Sequence, residues 1–396
     1  MPKTGKSRHK RRFIRLKRFL ARIRPAARQV ASGCNRIELL SDGKLFFSSL
    51  IDAIKRAQKT VLLEYYMFRN DRTGSLLAGE LTDAAGRGVK VFLIYDYIGS
   101  IDTPSSFFRK MRRVGIRVVP FNVPSFRRGV RWFDRRDHRK MAIIDGQKAF
   151  LGGFNIGDEY AGLIERPNSF RDVGFTLSGT AVAELTAIFS ETWEMETGVP
   201  PLLPGQYPES APDGRADVTI VSGGPQQRSS YIRGAFRLSI ASASEELLIA
   251  NPYFVPGPRI IRALLRAASR GVRVKLLLPA RSDVRIVQVA GRSSYATLLS
   301  KGVEIFEVEQ EILHAKVMVV DKERSVIGSA NLDQRSFNRN FEINCIIDDR
   351  LFSRQMRRVL LEEFGNARQI SLEEHEKRSF TVRLLERIIN LFSWFL

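Results

Sequence analysis

Cysteine is scarce in this chain of 396 residues: Cys34 and Cys345 stand far apart, in no metal-ligand or redox spacing. A disulfide framework is therefore not what holds the fold together. Long apolar runs are missing too. No stretch approaches the 18 or more apolar residues that a spanning helix needs, so a peripheral protein with no membrane span is expected. Histidine occurs only four times, and acidic residues are absent from the first thirty positions.

What is present is positive charge. Those thirty residues hold twelve Lys and Arg, while the remainder holds 52 basic and 42 acidic residues. The formal charge of +22 thus belongs to an intensely basic head on a moderately basic body. Such a head binds a polyanion, and nucleic acid and an anionic bilayer both qualify. Phe13, Leu16, Phe19, Leu20 and Ile23 fall at helical spacing among the arginines, as in a basic helix lying on a membrane. A disordered basic tail or an organelle transit peptide has the same composition. At the other end, "TVRLLERIINLFSWFL" spaces Leu384, Leu385, Ile388, Leu391 and Phe395 for an amphipathic helix, with Trp394 suited to a membrane interface. A closing helix docked on the domain fits the same spacing.

Between the ends, apolar residues switch repeatedly from helical period to short β-rich runs. "LFFSSLIDAIKRAQKTVLLEYYMF", "SLLAGELTDAAGRGVKVFLIYD" and "FFRKMRRVGIRVVPF" each read as helix then strand, which predicts βα units around a largely parallel sheet. The second half replays them. "RGVRVKLLL" echoes "RGVKVFLIY" at an offset of 183, and "YATLLSKGVEIFEV" echoes the third unit at 187. This is a duplication. Prolines 200, 201, 204, 208 and 212 mark a connector. The expected division is a basic tail at 1–34, lobes at 35–198 and 217–370 with the connector 199–216 between them, and an amphipathic segment at 371–396.

One motif is also written twice, at an offset of 176: "HRKMAIIDGQKAFLGGFN" from 138 and "HAKVMVVDKERSVIGSAN" from 314. His138 and Lys140, like His314 and Lys316, fall two apart in a strand-like run and so share a face. Gly152 and Gly153, or Gly328 and Ser329, permit close backbone approach before Asn155 or Asn331. Two lysines and two asparagines make a donor cradle for a tetrahedral oxyanion. One neutral imidazole can attack phosphorus while a second, protonated one donates to the leaving oxygen. Each half supplies one of the two, with a phosphodiester between them.

A carboxylate behind each imidazole would fix its tautomer. Asp172 and Glu342, each downstream of a motif, are the candidates. Asp145 and Asp321 complete the motifs, and a structural role at the strand end is expected for them. His9 and His375 lie in charged, exposed-looking segments and carry no signal. "EVEQE" at 307–311 and "DDR" at 348–350 read as surface charge. No acidic cluster stands at metal-ligand spacing, so neither metal nor other cofactor is expected.

The two motifs resemble the HKD motifs of the phospholipase D superfamily over about residues 35–370. "LLEYYMFRND", "NPYFVP", "DHRKMAIID" and "GSANLDQRSFNRNFE" are most similar to bacterial cardiolipin synthases of the short type without N-terminal spans. The resemblance implies a pseudo-symmetric, bilobal α/β fold, each lobe with a mainly parallel-containing mixed sheet and helices on both faces, and the active site at the lobe interface. It implies ping-pong transfer of a phosphatidyl group to phosphatidylglycerol through a phosphohistidine, releasing glycerol or, from phosphatidylethanolamine, ethanolamine. His138 would be the nucleophile and His314 the acid/base. Lys140, Lys316, Asn155, Asn331 and Ser329 would bind phosphate, with Gly153 leaving the first half one donor short. Asp172 and Glu342 would orient the histidines.

The expected partner is an anionic phospholipid membrane, at the bacterial inner-membrane surface, and not nucleic acid. A rim would touch lipid through Arg131, Trp132, Phe133, Arg135 and Arg136, with Tyr253 on the other lobe and Trp394 at the C-terminus. A hydrolytic phospholipase D and a phosphodiesterase nuclease use the same histidines and are the rival readings.

Overall fold

The computed structural model describes residues 34–124, 134–163, 169–203, 211, 213–225 and 230–391. The first lobe runs β1 (Asn35–Leu40), α1 (Gly43–Arg56), β2 (Thr60–Tyr65), α2 (Arg72–Gly86), β3 (Lys90–Asp96), α3 (Ser105–Arg113), β4 (Arg117–Phe121), β5 (Lys140–Ile144), β6 (Lys148–Gly152), α4 (Asp158–Ala161), β7 (Phe170–Arg171), β8 (Gly174–Gly179) and α5 (Val182–Thr197). The second begins with β9 (Asp217–Gly223), α6 (Tyr231–Ser242), β10 (Glu246–Ala250), α7 (Gly257–Ala268), β11 (Arg273–Pro279), α8 (Arg285–Arg292), α9 (Tyr295–Leu299) and β12 (Glu304–Val308). It continues through β13 (Ile312–Leu313), β14 (Val317–Val320), β15 (Arg324–Gly328), α10 (Gln334–Asn338), β16 (Glu342–Asp348), α11 (Arg350–Gly365), β17 (Arg368–Ile370), α12 (Leu372–Glu376) and α13 (Phe380–Leu391).

The duplication is visible in the sheet orders. The first sheet is β1-β8-β6-β5-β2-β3-β4, and the second is β9-β16-β15-β14-β10-β11-β12 with β17 added beyond β12. Both large sheets are mixed, as the resemblance implies, and their parallel share is smaller than the βα units alone predict. Within these two sheets only β2–β3–β4 and β10–β11–β12 pair in parallel, and the remaining neighbours are antiparallel. The three βα units build the parallel part. The motif itself makes a hairpin, β5–β6 or β14–β15, that joins the sheet antiparallel.

Alternation along the strands explains the layering. Leu62 and Ile94 point to a core shared by both lobes, whereas Val61, Leu63 and Leu93 point to an outer core belonging to the first. The shared core also takes Leu185, Phe189 and Trp193 from α5, and Phe352, Met356 and Leu360 from α11. Outside it, α1, α2 and α3 cover the first sheet, and α6, α7 and α9 cover the second. With both faces buried, the strands read as near-continuous apolar runs. α1 shows the local logic: Asp42 caps it by accepting from the Leu45 N–H at 2.8 Å, and Phe46, Phe47, Leu50 and Ile54 bury one stripe.

Each motif hairpin turns on two residues of positive φ, as a type I′ turn requires: Asp145 (53°) with Gly146 (65°), and Asp321 (52°) with Lys322 (60°). The aspartates do more than turn. Asp145 accepts the N–H groups of Gln58, Lys59 and Thr60 at 2.7–2.9 Å. Asp321 accepts those of Ser244, Glu245 and Glu246 at 2.8–3.0 Å, plus the Ser244 hydroxyl. Each carboxylate thereby fastens the hairpin to the start of β2 or β10. Both lie seven residues past their histidine, about 20 Å along an extended chain, so they cannot belong to a catalytic group. Asp145→Ala and Asp321→Ala should each lower stability by about 1–3 kcal/mol, since three backbone donors, two on exposed residues and one on a buried residue, lose a charged acceptor. Urea midpoints check this; full specific activity in whatever protein folds is the accompanying expectation.

Candidate active site

The two histidines precede β5 and β14, at the end of the sheets where the parallel strands finish. Each is held by the other lobe. Asp137 pairs with Phe341 across the seam, and the next residues, His138 and Glu342, then stand side by side. Leu313 pairs with Arg171 in the small parallel sheet β7–β13, and the next residues there are His314 and Asp172. The backbone donates accordingly: His138 N–H to Phe341 C=O at 2.9 Å, and His314 N–H to Arg171 C=O at 2.7 Å. The same device is built twice.

The carboxylates consequently cross over. Glu342 of the second lobe lies 3.1 Å from Nδ1 of His138, and Asp172 of the first lies 2.5 Å from Nδ1 of His314. Nδ1–H donates in each case, which leaves Nε2 as the acceptor nitrogen, and Lys316 Nζ stands 3.3 Å from that of His314. The sequence left open which carboxylate serves which histidine; the seam pairing gives each to the motif of the opposite lobe.

Glu342 is richly supported. Beyond His138 it accepts from the Ser329 hydroxyl (2.5 Å), the Ser336 hydroxyl (2.8 Å) and the Asn340 amide (3.2 Å). Burial would raise its pKa, but His138, Lys140 and the Ser329 hydroxyl together hold it below the ordinary carboxylate value. Ser329 therefore backs a carboxylate, and the phosphate-binding role expected of it is withdrawn. Asp172 has fewer partners, the Val173 N–H at 2.8 Å among them, and burial pushes its pKa up to about 6 against the pull of Lys316. The Gly153–Ser329 difference has a steric cause. A Cβ at Gly153 would come within 2.2 Å of Asp172, whose shorter side chain occupies the space that Ser329 fills in the other half.

Lys140 and Lys316 are buried, and Nζ of each binds the carbonyl of its own histidine. Lys316 is 3.7 Å from Asp172, and Lys140 lies over the Tyr66 ring at 5.3 Å. Each lysine feels the other's lobe: desolvation brings Lys140 down to about 7, with Glu342 opposing and Lys316 reinforcing. Burial likewise lowers Lys316. Both histidines are depressed, first by burial and then by the lysines, with Glu342 partly restoring His138. Neutral imidazoles are the resting form. His138 is the more accessible, its side chain 12 % exposed against 6 % for His314.

Asn155 and Asn331 are buried at the same seam. Asn155 donates to the Tyr160 hydroxyl at 2.8 Å, and Asn331 takes the Ser336 hydroxyl on its backbone N–H at 3.1 Å. Both side-chain carbonyls lack a partner among the described residues. Several aromatic walls escaped the sequence reading. Tyr66 stands edge-on to His138 at 5.0 Å, while Tyr160 and Phe170, stacked at 4.8 Å, stand edge-on to His314 at 5.2 Å. Ser336 and Asn340 were missed too; lying within six residues of Glu342, in the quoted "SFNRNFE", they were findable.

Other expectations need correcting. Arg136 is no lipid-facing residue: it is buried, paired with buried Asp96 at 3.1 Å. Arg135 is half-buried, its carbonyl accepting from Asn122. Tyr253 is half-buried and donates to Asp283 at 2.6 Å. Arg131, Trp132, Phe133 and Trp394 lie outside the described residues. His375 and Glu307 are buried, not surface charge: Arg378 and Arg292 cover them. No group of His, Cys, Asp and Glu among the described residues has the arrangement of a metal site.

The profile of a family described as "Cardiolipin synthase, PLD-like domain" matches residues 50–193 and 237–363, well over half of the chain. A cardiolipin synthase of Geobacillus kaustophilus is 37% identical over 357 residues, 90% of this chain and 71% of that protein. Cardiolipin synthase A of Pseudomonas putida is 37% identical over 365 residues, 91% of this chain and 74% of its own length. The crystal structure of phosphatidylserine synthase from Haemophilus influenzae superposes with a TM-score of 0.73 at 15% identity, covering 96% of this chain and 99% of that one, which is a likeness of fold. With its duplicated lobes and paired histidines, the chain belongs to the cardiolipin synthase family of phospholipase D-like proteins.

Proposed function

We propose that this protein is a phosphatidyltransferase that joins a phosphatidyl group to phosphatidylglycerol, making cardiolipin at the surface of the bacterial inner membrane. The observation that carries the reading is the crossed pair of His–carboxylate contacts at a lysine-lined seam. His138 Nε2 attacks phosphorus while His314 gives a proton to the departing alcohol oxygen: the P–O bond breaks as P–N forms. The incoming glycerol hydroxyl then returns a proton to His314 as its oxygen displaces His138. Lys140, Lys316 and the amides of Asn155 and Asn331 stabilise the charge on the phosphoryl oxygens. Ionised Glu342 favours His138 as the nucleophile, because it balances the positive charge that an attacked imidazole acquires. Phosphatidylglycerol as donor releases glycerol.

A position on the membrane surface is supported by α13. It packs on α8 through Ile389 against Val287 and Ala290, yet leaves Phe380 70 % exposed and Leu384, Leu385 and Ile388 exposed along with it. Among the described residues no helix is long and apolar enough to cross a membrane. A docked helix with an open apolar side suits shallow insertion.

Three outcomes are expected. Phosphatidylglycerol vesicles should yield cardiolipin and glycerol without added metal, and His138→Ala or His314→Ala should each remove the activity. Phosphatidic acid as sole product would mean hydrolysis, and nucleotide release from DNA a nuclease. Glu342→Gln should cost roughly 100- to 10,000-fold in kcat, since an amide loses the charge and misdirects the tautomer; retention of most of the rate would remove Glu342 from the mechanism. Finally, kcat/KM reports the free enzyme. His138 must be neutral and its pKa lies below the usual 6.5, so the acid limb should fall below that value. Lys140 and His314 must both carry a proton, so the rate should fall on the alkaline side, and Lys140→Arg should remove only the contribution near 7 that Lys140 makes. Initial rates from pH 4.5 to 9 decide.

A further inference from the structure

Away from the seam, α6 and α7 lie side by side on the outer face of the second sheet with a groove of about 660 Å³ between them. Six arginines line it. Arg233 and Arg237 are one turn apart on α6, and Arg259, Arg262, Arg266 and Arg270 follow at three- and four-residue steps along α7 and just past its end. Two arginine rows therefore face each other. The floor is small, with Gly234, Ala241 and Ala263, and the described lining contains no acidic residue.

Two of the six have local employment. Arg233 bonds the Asn338 side chain at 3.3 Å, and Arg270 reaches the Ala243 carbonyl at 3.0 Å. Arg237, Arg259, Arg262 and Arg266 are exposed and make no ion pair with any described residue. Like charges so placed repel: burial, then Arg259 and Arg237, lower the pKa of Arg233. A solvated helix face would ordinarily intersperse acids, and this one does not. The guanidinium fork suits phosphate oxygens two at a time.

We infer that this groove is a second phospholipid-headgroup site, distinct from the catalytic seam, by which the second lobe holds phosphodiesters of an anionic bilayer. Both helices begin at the end of the sheet where the histidines lie, since β10 finishes there and α7 follows it. Arg233 and Arg259 are thus at the mouth nearest the site, and Arg233 contacts α10, whose Ser336 supports Glu342. A nucleic acid is the less suitable occupant. The described lining offers no aromatic ring for base stacking, and the groove is short beside a nucleic-acid footprint. The choice of a lipid occupant rests on the proposed function.

Arginine modification by phenylglyoxal, read residue by residue by mass spectrometry, tests this on the full chain. Vesicles of phosphatidylglycerol and phosphatidylcholine should shield Arg237, Arg262 and Arg266, and pure phosphatidylcholine should not. Arg237→Gln/Arg262→Gln/Arg266→Gln should bind the anionic vesicles roughly 100-fold more weakly in cosedimentation at 0.1 M salt, what three juxtamembrane charges supply. The matching triple Lys variant should fall between, and activity on detergent-dispersed phosphatidylglycerol should be unchanged in both. Unaltered vesicle binding overturns the inference, as does shielding by a single-stranded oligonucleotide but not by vesicles. Cardiolipin formation by the wild type alongside either result would leave the catalytic reading standing and the groove alone refuted.

Discussion

Two short backbone pairings across the seam decide the rest of this structure. Asp137 with Phe341 and Leu313 with Arg171 each bring together chain segments of opposite lobes, and each is followed at once by a histidine on one side and a carboxylate on the other. A backbone pairing fixes both neighbours to within a few tenths of an ångström without relying on long side chains. Neither half then has a complete site of its own. A single lobe would leave its carboxylate buried without an imidazole, and its histidine without a tautomer-fixing partner. The price of that mutual dependence is offset by the large core the lobes share, which includes α5, α11 and the inner faces of both sheets.

The near-symmetry is imperfect where the chemistry needs it to be. Glu342 with Ser329 and Asp172 with Gly153 are two solutions to one packing problem, in which a longer acid leaves room for a hydroxyl and a shorter one does not. They are unequal electrostatically. Glu342, accepting from Ser329, Ser336 and Asn340 as well as His138, is held ionised. Asp172, with its pKa raised to about 6, sits 2.5 Å from His314 and binds its proton less one-sidedly. Two chemically identical imidazoles thus acquire different surroundings, which is what separate nucleophile and acid roles require.

Much of this was legible in the sequence because repetition is legible. Offsets of 176 to 187 tied the lobes together, and the spacing of His138 to Lys140 and of His314 to Lys316 picked out residues that the structure brings to the seam. The crossing of Asp172 and Glu342 was not legible, since no spacing along one lobe encodes a contact with the other. Nor was the burial of Arg136: among neighbouring arginines nothing distinguishes the one that meets Asp96, forty residues earlier. The βα units alone predict largely parallel sheets because they dominate the periodicity, whereas the motif hairpins that make them mixed are short. Ser329 was expected to bind phosphate because the family resemblance implied it; in the structure its hydroxyl goes to Glu342.

On the proposed reading, charge balance accounts for the depressed histidines. Lys140 and Lys316 against Asp172 and Glu342 sum to nothing while both imidazoles are neutral, and a buried cluster is least costly in that state. A phosphodiester entering the seam brings one negative charge. That charge must be matched inside a poorly solvated space, and the groups able to take up a proton there are the His314–Asp172 pair and any lysine not already charged. Substrate binding would therefore load the very proton that the leaving alcohol needs. The empty site holds its histidines neutral, so His138 stays nucleophilic, and it is the arriving anion that makes an acid of the other.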